Sequence, residues 1–110
     1  MNSPAASPAR IVLVGFMASG KTSVGRELAR LLGWDFVDFD EEIEAEAGAP
    51  IPEIFSEQGE PAFRELEERV GRRLLELEGA VLATGGGWGA VEGRLEDLPG
   101  GTFSVWLRIG

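Results

Sequence analysis

Hydrophobic positions along the chain change period several times, and each change marks an element. Ile11–Val14 is an unbroken apolar, largely β-branched run closed by Gly15, the pattern of a strand buried on both faces of a parallel sheet. From Gly20 to Leu32 the spacing becomes helical: Val24, Leu28, Leu31 and Leu32 form one apolar stripe, and Gly33 stands where a C-terminal stop belongs. Phe36–Asp40 is extended in composition and predicts a second strand carrying Asp38 and Asp40 on the same side. Glu41–Ala47 and Pro50–Ser56 predict two short helices, the second with proline in its first turn. Phe63, Leu66, Val70 and Leu74 share one face of a longer helix over Glu60–Glu78, ended by Gly79. Ala80–Thr84 repeats the buried-strand pattern and runs into Gly85, Gly86 and Gly87. A brief helix over Val91–Leu98 and a turn at Pro99–Gly101 lead to a fourth strand, Thr102–Ile109. Strands alternating with helices predict an α/β fold with a mainly parallel sheet and helices on both faces.

Length allows one domain, residues 10–110, behind an expected flexible leader over residues 1–9 that lacks the apolar centre of a secretion signal. With no cysteine and no histidine, the chain holds no disulfide framework, no thiolate metal site and no Ser-His-Asp or Cys-His machinery. The formal charge of −9 repels phosphate backbones and anionic lipid surfaces, so neither nucleic acid nor a membrane is an expected partner. No apolar run approaches the roughly 20 residues of a spanning helix. Absence of a signal and of cysteine favours the cytoplasm, and a monomer is expected.

The only lysine, Lys21, lies in a glycine-rich turn. Gly15–Thr22 fits G-x-x-x-x-G-K-[ST] at every fixed position, between a predicted strand and a predicted helix. Successive backbone N–H groups surround phosphate oxygens only where the loop curls into a nest, which glycine permits. The helix N-terminus adds unsatisfied N–H groups and the positive end of its dipole. Gly15, Ala18, Ser19, Gly20, Lys21, Thr22 and Ser23 are therefore the expected phosphate-binding residues for ATP, with Lys21 on the β/γ-phosphates and the Thr22 hydroxyl on Mg²⁺. Gly85–Ala90 also fits a loosened dinucleotide fingerprint, but the acidic residue that such a site needs about 20 positions on is lacking.

Ligands of parallel α/β sheets collect at the carboxyl ends of the strands. The phosphate loop, Asp38 with Asp40, and Gly85–Gly87 are all expected there, in one cleft. An acidic pair beside a magnesium triphosphate can hold the metal through water and bind or deprotonate an acceptor hydroxyl. Asp38 and Asp40 fit those two tasks; the plainer alternative is a pair of strand-end aspartates that cap the next helix.

Gly15–Thr22, Val37–Asp40, Ile54 and Phe55 with Gly59 and Glu60, Phe63–Glu67 and Thr84–Gly87 together resemble the ordered motif series of the shikimate kinase family. The resemblance runs over roughly residues 10 to 109 and implies a three-layer P-loop fold and ATP-dependent phosphorylation of a shikimate hydroxyl, on the route to chorismate and aromatic amino acids. It implies that Lys21 and Thr22 serve ATP and Mg²⁺, that Asp38 lies by the metal and that Asp40 holds ring hydroxyls of the acceptor. It further implies that Arg64 pairs with the substrate carboxylate, that Glu67 orients this neighbourhood and that Gly85, Gly86 and Gly87 offer backbone to the substrate. Guanidinium suits a planar carboxylate through two parallel N–H bonds. A related gluconate or sugar kinase, or a non-catalytic nucleotide-binding module, are the alternatives. In the family the fold continues after the fourth strand into an arginine-bearing lid, a fifth strand and adenine contacts; none follows Gly110 here, so the 110 residues alone are expected to be a truncated kinase with little transferase activity. Trp88, Trp34 and Trp106 read as packing residues, the Glu41, Glu42, Glu44 and Glu46 face as solvated, and Arg69, Arg72 and Arg73 as partners in exposed ion pairs along their own helix.

Overall fold

The computed structural model describes residues 8–15, 21–85 and 98–106. Its elements in chain order are β1 (Arg10–Val14), α1 (Lys21–Leu32), β2 (Asp35–Asp38), α2 (Phe39–Ala47), α3 (Ile51–Gln58), α4 (Glu60–Leu74), β3 (Ala80–Ala83) and β4 (Thr102–Trp106). The expected helix over Val91–Leu98 lies outside the described residues, apart from Leu98.

The strands are ordered β2-β3-β1-β4, and every pairing is parallel. After β1 the chain moves to one side and builds β2, leaving a gap that β3 fills. After β3 it crosses β1 to place β4 on the other side. Connections from the adjacent strands β1 and β3 thus depart in opposite directions, which opens a crevice between their carboxyl ends.

Strand alternation divides the core into two layers. Ile11, Leu13 and Val81 face α1 together with Phe36, Trp34 and Val105. Val12, Val14, Ala80 and Leu82 face α2, α3 and α4, whose Phe39, Ile43, Ile54, Phe63, Val70 and Leu74 complete the larger cluster. Among the described residues no helix is long and apolar enough to cross a membrane.

The buried face of α1 differs from the expected stripe. Val24, Leu31 and Leu32 are exposed, Leu31 to 66%, and only Leu28 of the four packs on the sheet. Contact is made instead by Gly25 and Ala29, one helical turn apart. At Gly25 a Cβ would stand 2.3 Å from Phe36 Cε1 and 3.1 Å from Leu13 Cδ1, so the helix settles at a distance that only a bare Cα allows. A hydrophobicity pattern does not register a face made of small residues.

Other boundaries shift. α4 stops at Leu74 rather than at Glu78, its last carbonyls taken by the N–H groups of Leu75 and Leu77. Ala9, assigned to the leader from the sequence, already donates to Gly101 O and accepts from Gly79 N. Trp34 packs as expected, but Trp106 is 51% exposed on β4. The acidic face is not simply solvated: Glu44 accepts from Ile51 N at 2.8 Å and so joins α2 to α3, while Glu42 and Glu46 pair with Arg73. Arg69 pairs with Glu46 as well, so of Arg69, Arg72 and Arg73 only Arg72, bonded to Glu68, stays on its own helix.

Candidate active site

Register places Asp38, Ala83 and Leu13 on one line across the carboxyl edge of the sheet. At strand spacings of about 4.8 Å, Asp38 and Leu13 are roughly 10 Å apart. Thr84, which follows β3, is buried and donates both its N–H and its Oγ1 to Leu13 O, at 3.1 and 2.9 Å. A single carbonyl two residues before Gly15 therefore anchors the point where the chain turns into the glycine run, and fixes the separation of the two segments that leave β1 and β3. The sequence reading did not give Thr84 this role; its signal was a hydroxyl residue closing an otherwise apolar strand.

The two aspartates do not share one strand, contrary to what the pattern of Phe36–Asp40 predicts. β2 ends at Asp38, and Asp40 lies in the first turn of α2. Asp38 keeps an extended backbone (φ −102°, ψ 123°) while its Oδ1 accepts from Asp40 N at 2.9 Å and Glu41 N at 3.2 Å, which makes it the N-cap. Asp40, Glu41 and Glu42 then occupy the positive end of the helix dipole, where acids are favoured. Phe39 turns into the core and is buried. An apolar residue between two aspartates satisfies both a strand and a helix start, and capping decides for the helix. The two carboxylates remain neighbours, one at a strand end and the other on the first helical turn.

Asp40 meets the glycine run directly. Its Oδ1 lies 2.8 Å from the place where a Cβ would project from Gly85. Gly86 and Gly87 lie outside the described residues.

On the phosphate side, Gly15 is buried at the end of β1 and α1 opens at Lys21. Its first turn carries no acidic residue, so the positive helix end is not neutralised from within, and Thr22 and Ser23 are exposed there. Ala18, Ser19 and Gly20 lie outside the described residues, as does the Lys21 side chain.

Arg64 and Glu67 stand on α4, which packs against α2, the helix of Asp40. Glu67 is buried, and Arg64 donates to it through Nη1 at 3.1 Å and to Glu60 through Nη2 at 3.4 Å. The hydrogen bond to Glu67 raises the Arg64 pKa above its ordinary value, with Glu60 adding to it. Its carbon also lies 5.6 Å from the centre of the Phe63 ring, which is stacked in turn on Phe55 at 4.6 Å. Phe55 of α3 and Glu60, Phe63, Arg64 and Glu67 of α4, all from the motif series, thus form one contact group.

The shikimate kinase family model matches residues 17–109, from inside the phosphate loop to three residues beyond β4 in the sequence. The chain belongs to the shikimate kinase family. It is similar to the shikimate kinase of Moorella thermoacetica, 47% identical over 102 residues that make up 93% of this chain and 59% of that protein. The shikimate kinase of Caulobacter vibrioides is 62% identical over 98 residues, 89% of this chain and 49% of the relative. Among solved structures, the shikimate kinase from Acinetobacter baumannii in complex with shikimate superposes with a TM-score of 0.87 at 45% identity, covering 94% of this chain and 57% of that one. The chain thus spans between half and three fifths of the length of these shikimate kinases.

Proposed function

We propose that the protein carrying this chain transfers the γ-phosphoryl group of ATP to a hydroxyl of shikimate. The observation that carries this reading is the shikimate-bound relative, whose fold covers nearly the whole chain. Within the chain, the crevice between β1 and β3 brings a phosphate-type helix start and a paired-aspartate corner to the same sheet edge, as transfer between two bound substrates requires.

Gly15, Ala18, Ser19, Gly20 and Ser23 would surround the phosphates, with Lys21 on the β/γ oxygens. Among the described residues no group of three acidic side chains is arranged to hold a metal. Mg²⁺ would accordingly come with the triphosphate, held by the Thr22 hydroxyl and, through water, by Asp38. Asp38 fits, since both cap hydrogen bonds go to its Oδ1 and neither uses Oδ2. The metal would neutralise charge on the phosphoryl oxygens. Asp40 would orient the acceptor hydroxyl and take its proton as the new P–O bond forms and the bond to the ADP oxygen breaks. No covalent enzyme intermediate is needed. Arg64, steadied by buried Glu67, would receive the shikimate carboxylate, and Gly85, Gly86 and Gly87 would offer main-chain groups to the acceptor.

This reading supports a monomeric cytoplasmic enzyme, and the charge of −9 argues against nucleic acid or an anionic membrane as a partner. The test is phosphate transfer to shikimate and to gluconate, measured side by side with magnesium and ATP. Transfer to shikimate alone, lost in Lys21→Ala, is the expected result. Equal transfer to gluconate, or none to shikimate, would overturn it.

A further inference from the structure

Glycine at a fixed loop position answers a demand either for positive φ or for room. Gly85 is not among the positive-φ glycines, which are Gly33, Gly48, Gly59, Gly79 and Gly101 among the described residues. Its demand is for room. A Cβ at Gly85 would lie 2.8 Å from Asp40 Oδ1, 3.6 Å from Cγ and 3.7 Å from Oδ2, so its three nearest neighbours all belong to one carboxylate.

Both partners are held from behind. Thr84, one residue earlier, is fixed by its two bonds to Leu13 O. Asp40 is fixed at its backbone N–H by the Asp38 cap. A methyl group at position 85 would therefore meet the Asp40 carboxylate while both main chains are anchored, and the part able to give is the end of that side chain.

We propose that Gly85 is a positioning residue: its bare Cα seats the Asp40 carboxylate at the mouth of the crevice and so sets where an acceptor hydroxyl is held. This rests on the reading of Asp40 as the acceptor-binding aspartate. It is separate from any main-chain contact between the glycine run and the substrate, because it acts through Asp40.

The test is Gly85→Ala in the protein carrying this chain. Carbon-13 NMR of the Asp40 carboxyl should show a displaced resonance. Calorimetry should show shikimate affinity reduced roughly tenfold to a hundredfold, since a displacement near 1 Å can cost that much, while magnesium-ATP affinity stays within about twofold. An Asp40 resonance identical to that of the parent overturns the seating. A displaced resonance with unchanged shikimate affinity, or with equal loss of magnesium-ATP, overturns the positioning role. If the parent protein binds no shikimate, the acceptor reading falls, and the Asp40 resonance still decides the seating. Should Gly85→Ala not fold, folding regained in the Asp40→Ala, Gly85→Ala double variant supports the contact, and folding not regained rejects it.

Discussion

Arg64 and Glu67 form an unequal ion pair: the carboxylate is buried at 5% side-chain exposure, while the guanidinium that reaches it over 3.1 Å is 43% exposed. Loss of either partner is therefore not symmetric. Arg64→Ala removes a cation from a carboxylate with little access to water, whereas in Glu67→Gln the guanidinium can turn to solvent. Chemical denaturation should show Arg64→Ala destabilised by about 1–3 kcal/mol and Glu67→Gln by less. Equal losses would show that the buried acid does not depend on Arg64. In calorimetry Arg64→Ala should weaken shikimate binding far more than magnesium-ATP binding, and Arg64→Lys should restore it only in part, because an ammonium lacks the two-pronged geometry.

Asp38 caps α2, and the proposed mechanism gives it a second, separable task beside the metal. Asp38→Asn keeps an oxygen for the N–H groups of Asp40 and Glu41 but loses the charge, while Asp38→Ala loses both. Thermal unfolding should be close to the parent in Asp38→Asn, with about 1 kcal/mol lost in Asp38→Ala. The magnesium dependence of phosphate transfer should weaken in both variants. A parent-like magnesium response in Asp38→Asn would remove Asp38 from the metal's surroundings.

Gly25 lets α1 close onto the sheet, and the atoms that crowd it belong to Phe36 and Leu13. Gly25→Ala should cost about 1–3 kcal/mol by overpacking despite alanine's better helix propensity. Adding Phe36→Leu should recover part of the loss, as read from urea midpoints. A stabilised Gly25→Ala would mean that the helix can stand farther from the sheet at no cost.

Arg10 is buried at the other edge of the sheet, where it joins three segments: Nε donates to Leu77 O at 2.9 Å, and Nη1 donates to Gly100 O at 3.0 Å and Thr102 Oγ1 at 2.9 Å. Arg10→Met fills similar space but leaves these acceptors unpaired, and should cost about 2–4 kcal/mol with little change in substrate affinity at the distant carboxyl edge. Arg10→Lys should recover little of it, because one ammonium does not reproduce a fork of donors. Midpoints from denaturant titration decide both.

The candidate site was legible to different depths. The phosphate loop is a contiguous motif whose chemistry is written in adjacent residues, and the buried strands announce themselves through β-branched runs such as Ile11–Val14 and Ala80–Ala83. Asp38 and Asp40 were identified as the acidic pair, but their placement was not, because one short segment satisfied two periods until the Asp38 cap and the burial of Phe39 chose between them. The Arg64–Glu67 spacing pointed to a helical pair without showing that only one member is buried.

Local order thus announced most of the strands and helices, and marked the glycine loop and the charged residues to which the proposed transfer assigns its chemistry. These properties depend on neighbours in sequence: backbone periodicity, capping and the spacing of glycines. Only the folded chain decided that β3 inserts between β1 and β2, that Gly25 and Ala29 with Leu28, not the whole leucine stripe, form the packed face of α1, and that Asp40 rests against Gly85. Each of those depends on excluded volume between residues far apart in sequence, and a linear pattern holds no measure of that distance.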